Sequence, residues 1–294
     1  MLNEVYTAII TPYEENGVID FAALTKIIHS QVAACVGGIV VAGSTGEISS
    51  LSVIEYRELI RFCTDLCRGK IKCIAGCGHN NINSVIEFAN IAEECDAGGI
   101  MCVTPFYCKP SQSGLYQHFK MIHNNTGLPI MLYSVPSRTV TDFTDETLIA
   151  LSELERIVGF KDASNDINRV LRIGDIMLFN GVKSFCGNDE NFLAYCANGG
   201  NGIISVVSNI IPKTMNQIWQ HINANEYTKA RAIQRSLIPL YHALNVASNP
   251  VPIKYAMSKI FDNMNDTLRL PLHALNEHEK GIIDLALLDI KDET

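Results

Sequence analysis

The sequence is short of charge and has no basic block. Charged residues fill 18% of its 294 positions, below the roughly 25% usual in soluble domains. Its 23 Lys and Arg face 31 Asp and Glu, a net charge of −8. An acidic chain without a Lys/Arg-rich run is a poor partner for nucleic acid or an anionic membrane surface. With 47% hydrophobic residues it is not a disordered chain either.

Long apolar runs are also missing. The uncharged stretches 27–46, 191–212 and 236–250 are each interrupted by polar residues. His29, Ser30 and Gln31 break the first; Asn191, Asn198, Asn201 and Asn209 the second; His242, Asn245, Ser248 and Asn249 the third. None is the predominantly apolar segment of about 20 residues that a bilayer demands. No Lys or Arg precedes Lys26, so a basic, signal-like region is absent. A soluble, cytoplasmic protein is expected.

Cysteine is plentiful, with ten in the chain, but the expected arrangements are lacking. Cys63/Cys67 and Cys73/Cys77 are each separated by three residues, not the two usual in zinc ribbons, and no histidine pair follows at finger spacing. Most cysteines sit in apolar runs and are expected as small buried hydrophobes. No metal site is expected.

What the chain does contain is a train of short, near-continuous apolar runs separated by amphipathic segments. The runs are 5–12, 37–43, 71–78, 98–107, 129–136, 157–164, 176–182 and 202–209. Such runs suit parallel strands covered on both faces. Asp20, Ser52, Asn83 and, near ETLIALSEL, Thr144 or Thr147 are candidate N-caps of the intervening helices. Eight strand–helix units in roughly 220 residues fit a (β/α)8 TIM barrel. The open doubly wound sheet is the alternative, but no GxGxxG follows the first strand. Past residue 211 only helical stretches follow, at 213–223, 226–247, 252–264 and 275–289. The expected organisation is therefore a barrel over 1–224 and a C-terminal helical extension over 225–294, with chemistry at the C-terminal ends of the strands.

Three features could carry that chemistry. Lys161 lies in IVGFKDAS, a run too apolar for a surface strand, and lysine is almost never fully buried without a partner. If Lys161 faces the barrel interior, Gly159 and Ala163 share that face and leave room for a ligand, while Val158 and Phe160 face the helices. Burial there would favour the neutral amine, which imine formation with a carbonyl compound needs. A Lys161 at the strand end, paired with Asp162, is the alternative. The second feature is GSTGE, 43–47, whose backbone N–H groups could form an anion nest or simply a turn. The third is YSVPSRT, 133–139: Tyr133 could relay protons or pack as core, and Arg138 could clamp a carboxylate. Tyr107 is a similar tyrosine.

Together these motifs resemble the pyruvate-dependent class I aldolases, the family of dihydrodipicolinate synthases and N-acetylneuraminate lyases. TPY near residue 11, GSTGE, TPFYCKPSQSGLYQHF at 104–119, YSVPSRT, GFKDAS, GIISV and NPVPIK fall in family order along essentially the whole chain. The resemblance implies a homotetramer, a dimer of dimers, of barrels with helical C-terminal domains. It implies an imine between Lys161 and pyruvate, a proton relay of Ser44, Tyr133 and a Tyr107 from a neighbouring subunit, and a pyruvate carboxylate on the backbone at Ser44 and Thr45. Arg138 would hold the carboxylate of L-aspartate 4-semialdehyde, with Gly187 and Ile204 also at the substrate. That favours the synthase branch, in the diaminopimelate route to lysine, over cleavage of a sialic or keto-deoxy sugar acid. No cofactor is implied, since the imine is the electron sink. CGND at 186–189 departs from the more usual SGDD, and Ser44 replaces a threonine. At the family's lysine-feedback site Asn80 is kept, but Tyr56, Ser84 and Phe106 stand at the other places, so feedback by lysine is expected to be weak. A keto-acid sensor on the same barrel and a cysteine-based metal protein are the rivals from other classes.

Overall fold

In the computed structural model, which describes residues 4–290, eight parallel strands close into a barrel. They are β1 (Val5–Ala8), β2 (Gly38–Val41), β3 (Lys72–Gly76), β4 (Ile100–Val103), β5 (Ile130–Ser134), β6 (Ile157–Asp162), β7 (Lys183–Cys186) and β8 (Gly202–Ser205). β8 returns to β1 with Ile204 opposite Tyr6. Asn209 locks this closure, donating through Nδ2 to Ala8 O at 2.9 Å and accepting from Ile10 N at 3.3 Å. The architecture is a (β/α)8 barrel followed by further helices.

Two apolar layers follow from the strand alternation. Tyr6, Val40, Met101, Met131, Tyr133, Phe185 and Ile204 fill the barrel interior. The opposite face, with Phe160 and Ile203 among many others, packs under the helices. Helix starts are capped by side chains: Asp20 accepts from Ala23 N, Ser52 forms a reciprocal capping box with Glu55, and Thr144 accepts from Thr147 N. The third cap is Asn81 rather than Asn83; the helix runs Ile82–Glu94, and Asn83 N is the donor Asn81 receives.

Three expectations need correction. The seventh strand is KSFC, not 176–182. IMLFNGV ends the helix Arg169–Phe179, and its apolar run looks continuous because Ile176, Leu178 and Phe179 lie on the solvent side of that helix while Ile173 and Met177 are buried. Val158 does not pack under a helix: the β5–β6 register shifts there, Ile130 facing Ile157 and Met131 facing Gly159, and Val158 is left exposed. The stretch 226–247 is two helices, Tyr227–Ser236 and Ile238–Ala243, since Pro239 has no N–H to continue the first.

Eight of the ten cysteines are buried, as small apolar residues. Among the described residues no group of three His, Cys, Asp or Glu could hold a metal ion, and no helix is long and apolar enough to cross a membrane.

The C-terminal helices lean back over the mouth of the barrel. Lys254, on the helix Val251–Ile260, is 0% exposed. Its Nζ donates to Glu47 Oε1 at 2.6 Å and Thr267 O at 2.7 Å and sits 4.1 Å above the Tyr13 ring. Arg269 also stacks on Tyr13, at 4.4 Å, while donating to Gly17 O, Ser50 O and Glu55. Burial lowers the Lys254 pKa to about 8, against the pull of Glu47. Glu47 itself occupies the left-handed region, φ 55°, a conformation costing roughly 1–2 kcal/mol for a residue with a Cβ. Lys254 and the Arg269 N–H hold its carboxylate there.

One pH effect follows from the barrel's outer layer. Burial lowers the His118 imidazole pKa to about 4, and its Nε2 has no hydrogen-bond partner among the described residues. Between pH 6.5 and 4 the unfolded chain therefore binds more protons at this site than the folded one, so stability is full above 6.5 and falls as the pH drops through that window. Thermal melts from pH 7 to 4 should show a shallower loss for His118→Leu than for the parent. Parallel curves would mean that the buried imidazole is not the sensor.

Candidate active site

The C-terminal ends of the strands open into a cavity of about 530 Å3. Lys161 comes up from β6 on the interior face, opposite Tyr133 of β5 and Phe185 of β7. It is 4% exposed, and its Nζ lies 4.3 Å from the centre of the Tyr133 ring. Among the described residues no carboxylate forms an ion pair with it. Asp162, the neighbour that could have paired with it, faces the other way. Arg169 takes Asp162 at 3.4 Å and Asp142 at 2.7 Å, while Ser134 donates to Asp142 and Ser164 to Asp162. Burial raises the Asp162 pKa, opposed by Arg169. This network fixes the ends of β5 and β6 from behind and leaves the amine without a carboxylate.

Of the two small residues expected to leave room beside the amine, Ala163 does and Gly159 does not. Met131 fills the space at Gly159, its Cε only 3.0 Å from where a Cβ would stand. The cavity opens on the Ala163 side, as expected for that residue.

Ser44 and Thr45 line the same cavity. The turn folds on itself: Gly43 O accepts from Gly46 N and Ile48 N, and Ser44 O from Glu47 N. No backbone carbonyl among the described residues takes the N–H of Ser44 or Thr45, as an anion nest requires. Gly46 is needed for close approach, since a Cβ would stand 2.9 Å from Ala42 N. Gly187 borders the cavity too. Its N–H donates to Asp162 O at 2.7 Å, and a Cβ would meet Ala163 at 2.7 Å. Beside it, Asp189 Oδ2 accepts from Val206 N and Val207 N, both at 3.1 Å, while burial raises the carboxyl pKa.

Arg138 lies on the short helix Pro136–Thr139 at the rim, its Nη2 donating to Asn249 O at 3.0 Å. So Lys161, Tyr133, Ser44, Thr45, Arg138 and Gly187 share one cavity. Two expected residues do not. Ile204 is fully buried in the barrel interior beneath it, and Tyr107 is 90% exposed, outside it, at φ 71°. The C-terminal region, which showed no nameable chemistry in the sequence, supplies a whole wall, including Tyr241, Asn245, Ser248 and Asn249. The uncharged, Asn- and Ser-bearing run 236–250 was the available signal.

Fold and site together define a barrel enzyme with a buried amine at the mouth of its strands, equipped for carbonyl chemistry. The dihydrodipicolinate synthetase family model matches residues 1–287. The chain is 45% identical over 278 residues to a 4-hydroxy-tetrahydrodipicolinate synthase of Rickettsia bellii, covering 95% of this chain and 94% of the relative. It is 38% identical to the Erythrobacter litoralis protein of the same name, over 95% and 96% of the two chains. A crystal structure of dihydrodipicolinate synthase from Thermotoga maritima superposes with a TM-score of 0.94 at 34% identity, over 98% of each chain. The chain belongs to the dihydrodipicolinate synthetase family, and is a lyase.

Proposed function

We propose that the chain condenses pyruvate with L-aspartate 4-semialdehyde through an imine on Lys161, giving 4-hydroxy-tetrahydrodipicolinate in the diaminopimelate route to lysine. The observation that carries this reading is the placement of Lys161, buried without a carboxylate partner beside Tyr133 in a cavity rimmed by Arg138. The relatives' shared name supports the same reaction.

Pyruvate's carbonyl condenses with the amine and releases water, its carboxylate resting on the Ser44 and Thr45 N–H groups. Loss of a methyl proton converts the imine to an enamine, with Tyr133 and Ser44 carrying the proton away. The enamine carbon attacks the aldehyde, forming the new C–C bond, and the aldehyde oxygen takes a proton to become the hydroxyl. The product's own amine then adds to the imine carbon and expels Lys161. Arg138 holds the aldehyde substrate's carboxylate, and Gly187 shapes that side of the site, while Ile204 packs in the barrel interior beneath it. The imine serves as electron sink, so the reaction calls for no metal or organic cofactor.

Tyr107 belongs to this reading as the outer end of the relay, supplied by a neighbouring subunit; its exposure on the isolated chain suits an interface position. The assembly we propose is a homotetramer, a dimer of dimers, acting in the cytoplasm. To test the imine, the protein is incubated with pyruvate, reduced with borohydride and mapped by mass spectrometry. An active enzyme with Lys161 unmodified would sink the reading.

Two further outcomes follow. Arg138→Ala should raise the aldehyde KM about 10- to 100-fold, the value of one or two charge-assisted hydrogen bonds, while borohydride trapping of pyruvate saturates as before. Equal loss at both substrates would remove Arg138 from the aldehyde subsite. L-Lysine should inhibit weakly. Tyr56 is fully buried, with its hydroxyl 3.2 Å from Cys77 Sγ and its ring 4.5 Å from Phe88, so it is part of the core. Ser84 supplies no carboxylate for an ammonium group. Submillimolar inhibition in a steady-state assay would refute this.

A further inference from the structure

Asn249 touches both halves of the cavity and belongs to neither motif that defines them. Its side-chain Nδ2 donates to Thr45 Oγ1 at 2.9 Å. Its main-chain carbonyl accepts from Arg138 Nη2 at 3.0 Å. It lines the cavity and stands five residues before Lys254, whose ammonium grips Glu47 at the other end of the GSTGE turn. The turn that carries Ser44 and Thr45 is thus fastened to the C-terminal region at two points: Thr45 to Asn249, just before the helix Val251–Ile260, and Glu47 to Lys254 on it.

The direction of the Asn249–Thr45 bond matters. An amide nitrogen only donates, so Thr45 Oγ1 is the acceptor in this pair. The hydroxyl's own hydrogen must then point elsewhere. Thr45 is buried and lines the cavity, and the group there that would take this hydrogen is the pyruvate carboxylate, already facing the free N–H groups of Ser44 and Thr45. A hydroxyl aimed in advance at an anion keeps the bond's full value, because no rotor has to be ordered on binding.

We propose that Asn249 is a positioning residue that aims the Thr45 hydroxyl at pyruvate with its side chain and steadies Arg138 for the aldehyde substrate with its main chain. The inference rests on the imine reading, and deepens it: one residue of the C-terminal region couples the two substrate subsites. The two contacts are separable, because substitution of the side chain leaves the carbonyl in place.

The test follows from that separation. Half-saturation by pyruvate is read from borohydride trapping of the intact enzyme at increasing pyruvate, independently of turnover, and the aldehyde KM from steady-state rates. Asn249→Ala should raise the pyruvate half-saturation about tenfold, one hydrogen bond to a charged group, and leave the aldehyde KM within about threefold. Thr45→Val should show the same loss, and Asn249→Ala should add nothing in the Thr45→Val background, as expected when two residues act through one contact. Asn249→Asp keeps the shape but can only accept, so it turns the Thr45 hydroxyl toward itself and should weaken pyruvate at least as much, whatever the folding of the alanine variant. An unchanged pyruvate half-saturation in either Asn249 variant overturns the proposal. Losses that multiply in the double variant overturn it too, because a merely structural role would add independently and lower Tm. If the parent enzyme yields no Lys161 adduct, it is the imine reading that falls.

Discussion

Lys161→Ala is expected to lower kcat more than about 1000-fold, because it removes the covalent step and not just a contact to the transition state. No adduct should form when the variant is treated with pyruvate and borohydride. The variant should still fold. Lys161 is in no ion pair among the described residues, so its loss strands no carboxylate, and deleting a buried, unpaired amine removes a desolvation cost. Tm should be unchanged or higher. Lys161→Arg should be equally inactive, since a guanidinium stays protonated and forms no imine. A variant that keeps a tenth of the parent rate would show that the amine is not the nucleophile.

Lys254→Met should act in the opposite way, on stability first. Removing one partner of a buried pair leaves Glu47 charged and uncompensated, at a cost of about 3–5 kcal/mol. For a chain of this size that is a fall in Tm of about 10 °C. The Glu47→Leu/Lys254→Met double variant should recover part of the loss, since neither charge is then buried alone. Pyruvate binding should weaken in both, because Glu47 ends the turn that bears Ser44 and Thr45. A single variant that melts with the parent would show that the pair stabilises nothing.

These two lysines mark how far the sequence could be read. Lys161 was legible because a cation inside a strand-like apolar run is rare, and strand alternation placed it on the interior face. Lys254 sits in NPVPIK, which served only as a family mark; its partner lies 207 positions earlier, and no local pattern announces a pairing of that range. The barrel itself was legible from seven of its eight apolar runs. The seventh run failed because KSFC is half polar and four residues long, while the helix before it carries Ile176, Leu178 and Phe179 on its exposed side. Ser44, Thr45, Tyr133 and Arg138 were legible as motif residues. Tyr241 was not, and Asn249 only as the first residue of the family mark NPVPIK, because their part in the site arises only when the last helices fold across the barrel mouth.

That late arrival has a consequence for the making of the protein. β1 has no neighbour on one side until β8 exists, and the loops after β1 and β2 wait for Lys254 and Arg269. At roughly 5–20 residues per second, the ribosome needs on the order of 10–50 s to travel from the first strand to Arg269. Through that interval the nascent chain carries an open sheet edge and an uncovered apolar interior, the two features most prone to mispairing. A chain that stops short of Arg269 should therefore come off the ribosome as a substrate for chaperones rather than as a slow enzyme.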